Sequence, residues 1–95
     1  MALWSLFIEV DTKSYSTQLQ AATPREAVAS YLSGESLSEF LRSEHLGEWP
    51  SRLSATDIVL FVPMEGLTNM YLCQLGRDGK YVSIILVCTV ENTNL

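Results

Sequence analysis

The residues of this chain that could do chemistry are one histidine, two cysteines and several spaced carboxylates. Covalent catalysis needs a nucleophile beside a base. The one histidine, His45, is expected at the tail of a short helix, where a structural or exposed role is favoured over a catalytic one. Zinc sites use closely spaced ligands, whereas Cys73 and Cys88 stand fifteen positions apart. We therefore predict a protein that is not an enzyme and that has no metal site and no cofactor.

The spaced carboxylates and the cysteines each have a second interpretation. Glu35 with Glu39, and Glu44 with Glu48, could serve as acid and base, but the i, i+4 spacing is more typical of a solvated helix face. The two cysteines lie in apolar, strand-like runs. That setting favours buried, reduced thiols over a disulfide or a reactive thiol.

Two segments with the period of half-buried strands lie at the beginning of the chain. In residues 3–10, one face would carry the apolar side chains Trp4, Leu6, Ile8 and Val10. Leu3 and Phe7 blur this alternation. Residues 11–14 are polar and predict a turn, and residues 15–21 resume the alternation with polar side chains on one side. We predict a β-hairpin with one wet face, whose second strand suits a sheet edge.

Two helical pieces are predicted after the hairpin. Thr23-Pro24-Arg25-Glu26 marks a helix start, because Thr23 can cap free amides and Glu26 can complete a capping box. Gly34 marks the end, where a left-handed residue is common. Ser36-Leu37-Ser38-Glu39 repeats the capping signal and predicts a second, shorter helix over 36–46. The apolar side of the first helix would consist of Ala27, Val28, Tyr31 and Leu32.

Three further strands are expected in the second half of the chain. Residues 57–63 contain the run Ile58-Val59-Leu60-Phe61-Val62, which is apolar on both faces, as is typical of a strand that is covered on each side or central in a sheet. Residues 70–75 and 81–90 flank Gly76-Arg77-Asp78-Gly79-Lys80, whose Asp-Gly pair favours a tight hairpin. The long last strand, with two apolar faces, is the natural centre of the sheet.

The element order β-β-α-α-β-β-β predicts an α+β fold, in which the helices pack on one face of an antiparallel sheet of about five strands. The chain has 95 residues, of which 47% are hydrophobic and 18% charged. This size and composition suit one domain over 1–95 that buries a single core.

Charge and hydropathy limit the partners that the chain could have. The net charge is −5 and the six basic residues are scattered, which disfavours nucleic acid and anionic membrane surfaces. The N-terminus lacks the positive region of a signal peptide, and the apolar run 82–90 is about half as long as a ~20-residue membrane-spanning helix. We expect a cytoplasmic protein whose partner is a protein, with no nucleic acid and no membrane involved.

The acidic residues gather in the middle of the chain. Residues 35–65 carry four of the five net negative charges. Such a cluster either lies by chance on a wet surface or docks on a positively charged partner. Trp49 beside it is either an interface anchor or a loop aromatic that closes the core. The candidate partner-binding residues are Glu35, Glu39, Glu44, Glu48, Trp49 and Asp57.

Three segments in the first third of the chain carry a resemblance to known proteins. They are Leu3-Trp4-Ser5-Leu6-Phe7-Ile8-Glu9, Tyr15-Ser16-Thr17-Gln18-Leu19-Gln20-Ala21 and Thr23-Pro24-Arg25-Glu26-Ala27 with Tyr31. Together they resemble small bacterial proteins that begin with a hairpin and a helix, some of which are immunity proteins of polymorphic or contact-dependent growth-inhibition toxins. The resemblance implies a cytoplasmic inhibitor that masks a toxin, often a basic nuclease, through an acidic surface. It gives no individual residue a role, because such interfaces diverge between pairs.

The leading hypothesis is therefore a non-enzymatic immunity or antitoxin-type inhibitor that docks on a basic protein through the acidic region 35–65. The alternative is a small adaptor or complex subunit that self-associates through a sheet edge such as residues 15–21. A third hypothesis, a small-molecule-binding or enzymatic domain, would need a pocket that periodicity does not reveal. The pattern does not indicate an oligomeric state.

Overall fold

A computed structural model describes residues 2–34, 55–77 and 79–89, which form a five-stranded antiparallel sheet with one α-helix. The elements are β1 Ala2–Val10, β2 Lys13–Ala21, α1 Pro24–Ser33, a 3₁₀ turn Ala55–Asp57, β3 Ile58–Pro63, β4 Met70–Arg77 and β5 Lys80–Thr89. The order of the strands in the sheet is β2-β1-β5-β4-β3. The predicted α+β class is confirmed in this coarse form, and β5 lies at the centre as expected. The second predicted helix, 36–46, lies outside the described residues.

The first hairpin has the predicted faces but a shorter turn. Trp4, Leu6, Ile8 and Val10 are buried, and β2 lies at an edge of the sheet, both as predicted. The turn expected over 11–14 is reduced to Asp11 and Thr12, because Lys13 already pairs with Val10. Asp11 has φ of 55°, and aspartate tolerates this left-handed geometry, which two-residue hairpin turns require.

Helix α1 begins with the predicted cap. The Thr23 hydroxyl accepts a hydrogen bond from the Glu26 amide at 3.1 Å, and the Glu26 carboxylate accepts one from the Ala22 amide at 3.2 Å. The buried side consists of the four residues expected, Ala27, Val28, Tyr31 and Leu32. The helix end differs from the prediction: Gly34 is extended, with φ of −87°, and its amide donates to the Tyr31 carbonyl at 3.2 Å. The last turn closes without a left-handed residue.

Strand β3 is an edge of the described sheet, so the prediction that it is central or covered on both faces is wrong. It pairs with β4 alone among the described strands, and the register shifts between Ile58 and Leu60. Val59, Leu60 and Val62 are exposed. A short apolar run is compatible with a covered strand or with an edge that is apolar on both sides, and periodicity does not distinguish the two.

The core lies between α1 and one face of the sheet. Leu6, Ile84 and Leu86 are fully buried there with the apolar side of α1. The Trp4 indole donates to the Ala21 carbonyl at 3.1 Å, so its buried N–H is satisfied. The Trp4 ring meets the edge of the Tyr71 ring, with 5.8 Å between their centroids.

Arg25 near the start of α1 and Tyr31 near its end carry polar groups that have different surroundings. The Arg25 guanidinium lies 4.6 Å from the centroid of the Phe61 ring, a cation–π contact that joins α1 to the edge strand β3. The buried Tyr31 hydroxyl has no hydrogen-bond partner within the described part of the chain. Burial, and to a smaller degree the nearby Tyr15, raises the pKa of this phenol.

The two cysteines are free thiols. Cys73 is fully buried in β4 and Cys88 is half-buried in β5, and neither forms a disulfide. Burial raises the pKa of the Cys73 thiol to about 11, an effect that the positive charge of Arg25 partly offsets.

No helix in the described ranges is long and apolar enough to cross a membrane.

We expect Cys73→Ala to reduce the loss of stability at alkaline pH. An unfolded thiol releases its proton near pH 8.5, whereas the folded Cys73 keeps it to about pH 11. The unfolded state therefore binds fewer protons between these values, and the free energy of unfolding falls as the pH rises through them. Urea denaturation at several pH values should show a shallower fall for Cys73→Ala. At pH 7, the difference in the free energy of unfolding between the unsubstituted protein and Cys73→Ala measures the packing cost alone. If the free energy of unfolding falls equally steeply with pH in both proteins above pH 8.5, the expectation is contradicted.

Candidate functional site

The face of the sheet opposite α1, here called the open face, carries an apolar row that crosses four strands. Phe7 of β1 pairs with Ile85 of β5, Ile85 pairs with Leu72 of β4, and Leu72 pairs with Val62 of β3. Directly opposed residues project to the same face of a sheet. Phe7, Ile85, Leu72 and Val62 therefore form one continuous band, here called the apolar row.

The apolar row is accessible at its two ends. Phe7 is 44% exposed and Val62 is 38% exposed, whereas Ile85 and Leu72 between them are half-buried by their neighbours. In the described part of the chain, no helix packs against this face, since the buried side of α1 belongs to the core on the opposite face. Large apolar side chains that remain exposed in a contiguous band are more informative than isolated ones.

A second apolar group on the open face surrounds a glycine. Gly76 of β4 pairs with Tyr81 of β5, and a Cβ at Gly76 would lie 2.8 Å from the Tyr81 ring and 3.5 Å from Val59. The ring thus lies over the glycine backbone. Tyr81 is 61% exposed and Val59 60% exposed, so this end of the open face is also accessible. Leu67 is also exposed, but it belongs to the β3–β4 loop at the other end of these strands.

Uncharged polar side chains flank the apolar row on both sides. Gln18 donates to the Ser5 hydroxyl at 2.9 Å, and Gln74 donates to the Ser83 hydroxyl at 3.4 Å. Glu9, which pairs with Ser83, is the one charged side chain among the described strand residues of this face. An apolar centre with a neutral hydrogen-bonding margin is the usual anatomy of a protein interface.

Five of the six predicted partner-binding residues lie outside the described residues: Glu35, Glu39, Glu44, Glu48 and Trp49. His45 lies outside them too. The sixth, Asp57, is buried at the end of the 3₁₀ turn and is 9% exposed. Both of its carboxylate oxygens accept hydrogen bonds from the Arg77 guanidinium, at 2.8 and 2.7 Å. Asp57 therefore joins the segment before β3 to the end of β4, and its partner-binding role stays a prediction.

The described residues are close to electrical neutrality. They contain five acidic and four basic side chains, so one of the five net negative charges falls within them. Glu65 is the exposed acid of the 35–65 region that the structure describes, in the loop after β3. Within residues 2–34, 55–77 and 79–89, no three histidine, cysteine or acidic side chains come together as ligands for a metal ion.

Sequence reasoning missed the open face, although a signal for it was present. Leu3 and Phe7 interrupted the polar side of β1, and residues 58–62 and 82–90 were apolar on both faces. Three strands thus carried apolar residues on both faces, whereas helices were expected on only one face of the sheet. This difference indicates that apolar area would remain exposed on the other face.

No protein-family model, no curated protein and no solved structure matches this chain. The resemblance to immunity proteins therefore stays a prediction.

We expect Arg77→Met to destabilise the fold by about 1–3 kcal/mol, because it removes the guanidinium that donates to both oxygens of the buried Asp57 carboxylate. The loss should be smaller than for a fully buried pair, since the Arg77 side chain is 35% exposed. Glu65→Gln, which neutralises an exposed carboxylate, serves as the control and should change stability by less than about 0.5 kcal/mol. Urea denaturation measures both. The expectation fails if the two variants have the same stability.

Proposed function

We propose that this chain is a non-enzymatic protein-binding domain and that the open face is its contact surface. The observation that supports the proposal is the apolar row Phe7–Ile85–Leu72–Val62, which runs in register across four strands and is exposed at both ends. The occupant of this face is a protein surface that presents apolar side chains without charge, because the described strand residues of the face include no cation and a single carboxylate, Glu9.

The size of the apolar area supports this function. Strands lie about 4.8 Å apart and same-face residues recur about every 6.8 Å along a strand. Phe7 and Val62 lie three strand spacings apart, about 14 Å, and Val87 and Tyr81 lie about 20 Å apart along β5. This part of the open face, which also includes Ser83 and Gln74, covers about 300 Å². The largest patch of a typical monomer covers about 300–600 Å² and is often functional.

A second candidate function is the inhibitor of a basic protein that the acidic region predicts. Its support is composition: four of the five net negative charges fall within 35–65, although Asp57 is held internally by Arg77. The two candidates differ in the physics of association. Charge-steered binding weakens as salt screens it, whereas apolar contact does not.

For the open face, we expect Val62→Lys to weaken partner binding at least about tenfold, because a charge would have to be desolvated within the apolar row. Proteins of the native host that bind the immobilised chain would be purified singly, and their dissociation constants measured by calorimetry. Ala29→Lys adds the same charge on the exposed side of α1 and should leave the affinity unchanged. Equal affinities for the two lysine variants would refute a contact through the open face.

For the acidic region, we expect the association rate with a purified basic partner to fall at least about tenfold between about 0.05 and 0.5 M NaCl. Glu48→Gln should slow association at low salt more than Asp11→Asn, which removes the same charge outside the region. Stopped-flow mixing measures both rates. A rate that is indifferent to salt would exclude the charge-steered inhibitor.

A further inference from the structure

We propose that the protein occupying the open face is a second copy of this chain, packed face to face about a twofold axis; this inference rests on the proposed function. The two sheets would form the inner layers, about 10 Å apart and with strands crossing at about 30°, and the two α1 helices would lie outside. The apolar row of each copy would meet the same row of the other, as an isologous interface requires.

The available area suits a weak dimer. Five strands about 4.8 Å apart give a face roughly 24 Å wide, and the nine residues of β1 make it about 30 Å long on that side. The footprint is on the order of 600–700 Å² per copy. Two such faces bury about 1,200–1,400 Å², which is above the ~1,000 Å² of a specific interface and at the lower end of the standard size.

The chemistry of the open face is complementary to itself. Its apolar centre would meet an apolar centre, and its margin of serine and glutamine can form hydrogen bonds with an identical margin. Glu9 is exposed near the end of β1, one rung from Phe7 and within the outline of the face. The dimer requires the Glu9 carboxylate to remain hydrated at the end of the contact, because burying an unpaired charge between the copies would oppose association.

The two edges of the described sheet are less suited to self-association than the open face. Strand β3 has a register shift between Ile58 and Leu60 and ends at Pro63, and both features disrupt the regular pairing that strand addition needs. Strand β2 pairs regularly with β1, but serine, threonine, glutamine and lysine make up most of it. Addition at β2 would bury little apolar surface, whereas face-to-face packing covers the apolar row.

Net charge gives the dimer a salt dependence opposite to that of the acidic-region hypothesis. Each copy carries a formal charge of −5, so two copies repel each other at long range. Salt screens this repulsion and does not weaken apolar contact. The dimer should therefore become tighter, not weaker, as NaCl is added.

Sedimentation velocity over a range of concentrations tests the inference with the full chain. We expect a reversible monomer–dimer equilibrium with a dissociation constant on the order of 10–100 μM, tighter at about 0.5 M than at about 0.05 M NaCl. Val62→Lys and Phe7→Lys should each weaken the dimer at least about tenfold. Ala29→Lys, the matched control, should not. Val62→Thr keeps the β-branched shape and should weaken the dimer by a smaller factor, with an unchanged circular dichroism spectrum.

Two results would overturn the inference. One is a chain that remains monomeric up to about 1 mM, and the other is a dimer that the open-face variants leave unchanged. If the chain is monomeric but Val62→Lys abolishes binding of a different purified protein, the occupant is that protein and the proposed function stands. If the open-face variants alter neither self-association nor binding of any purified partner, the proposed function fails as well.

Discussion

The structure depends on one constraint, which is that α1 packs against a single face of the five-stranded sheet. Successive side chains of a strand project to opposite faces, so every buried residue of β1, β4 and β5 has a neighbour that points away from the core. Trp4, Leu6 and Ile8 are buried under this arrangement, whereas Phe7 between them is 44% exposed. Burial on the helix side thus places Phe7, Ile85, Leu72 and Val62 together on the other side, because register links the strands residue by residue.

The negative charge of this protein is unevenly distributed along its chain. The described residues contribute a near-neutral sheet with an apolar row, while most of the negative charge belongs to residues outside the described ranges. One acid of the 35–65 region, Asp57, has an internal role, because its hydrogen bonds with Arg77 hold the start of β3 against the end of β4. A cluster of charged residues in a sequence is therefore not equivalent to a charged surface, since a member such as Asp57 can form internal hydrogen bonds that stabilise the fold.

The apolar row and the acidic region lead to opposite physical behaviour. Contact between apolar rows depends on removing area from water and tolerates salt. Docking of carboxylates on a cation depends on a field that salt screens within about 8–10 Å. A domain of this size can have both surfaces, and the salt dependence of each association identifies the surface in use.

The sequence by itself determined the local elements, because their signals depend on neighbouring residues. Alternation defined β1 and β2, the Thr23 cap and the Ala27, Val28, Tyr31 and Leu32 stripe defined α1, and the Asp-Gly pair indicated the last hairpin. Sequence reasoning also placed the last strand at the sheet centre and residues 15–21 at an edge. It failed at β3, since a run that is apolar on both sides reads the same at an edge as in the centre. Only the tertiary structure decided which strands are neighbours. The apolar row and the pairing of Asp57 with Arg77 follow from it, because residues from 10 to 78 positions apart meet only through strand order and register.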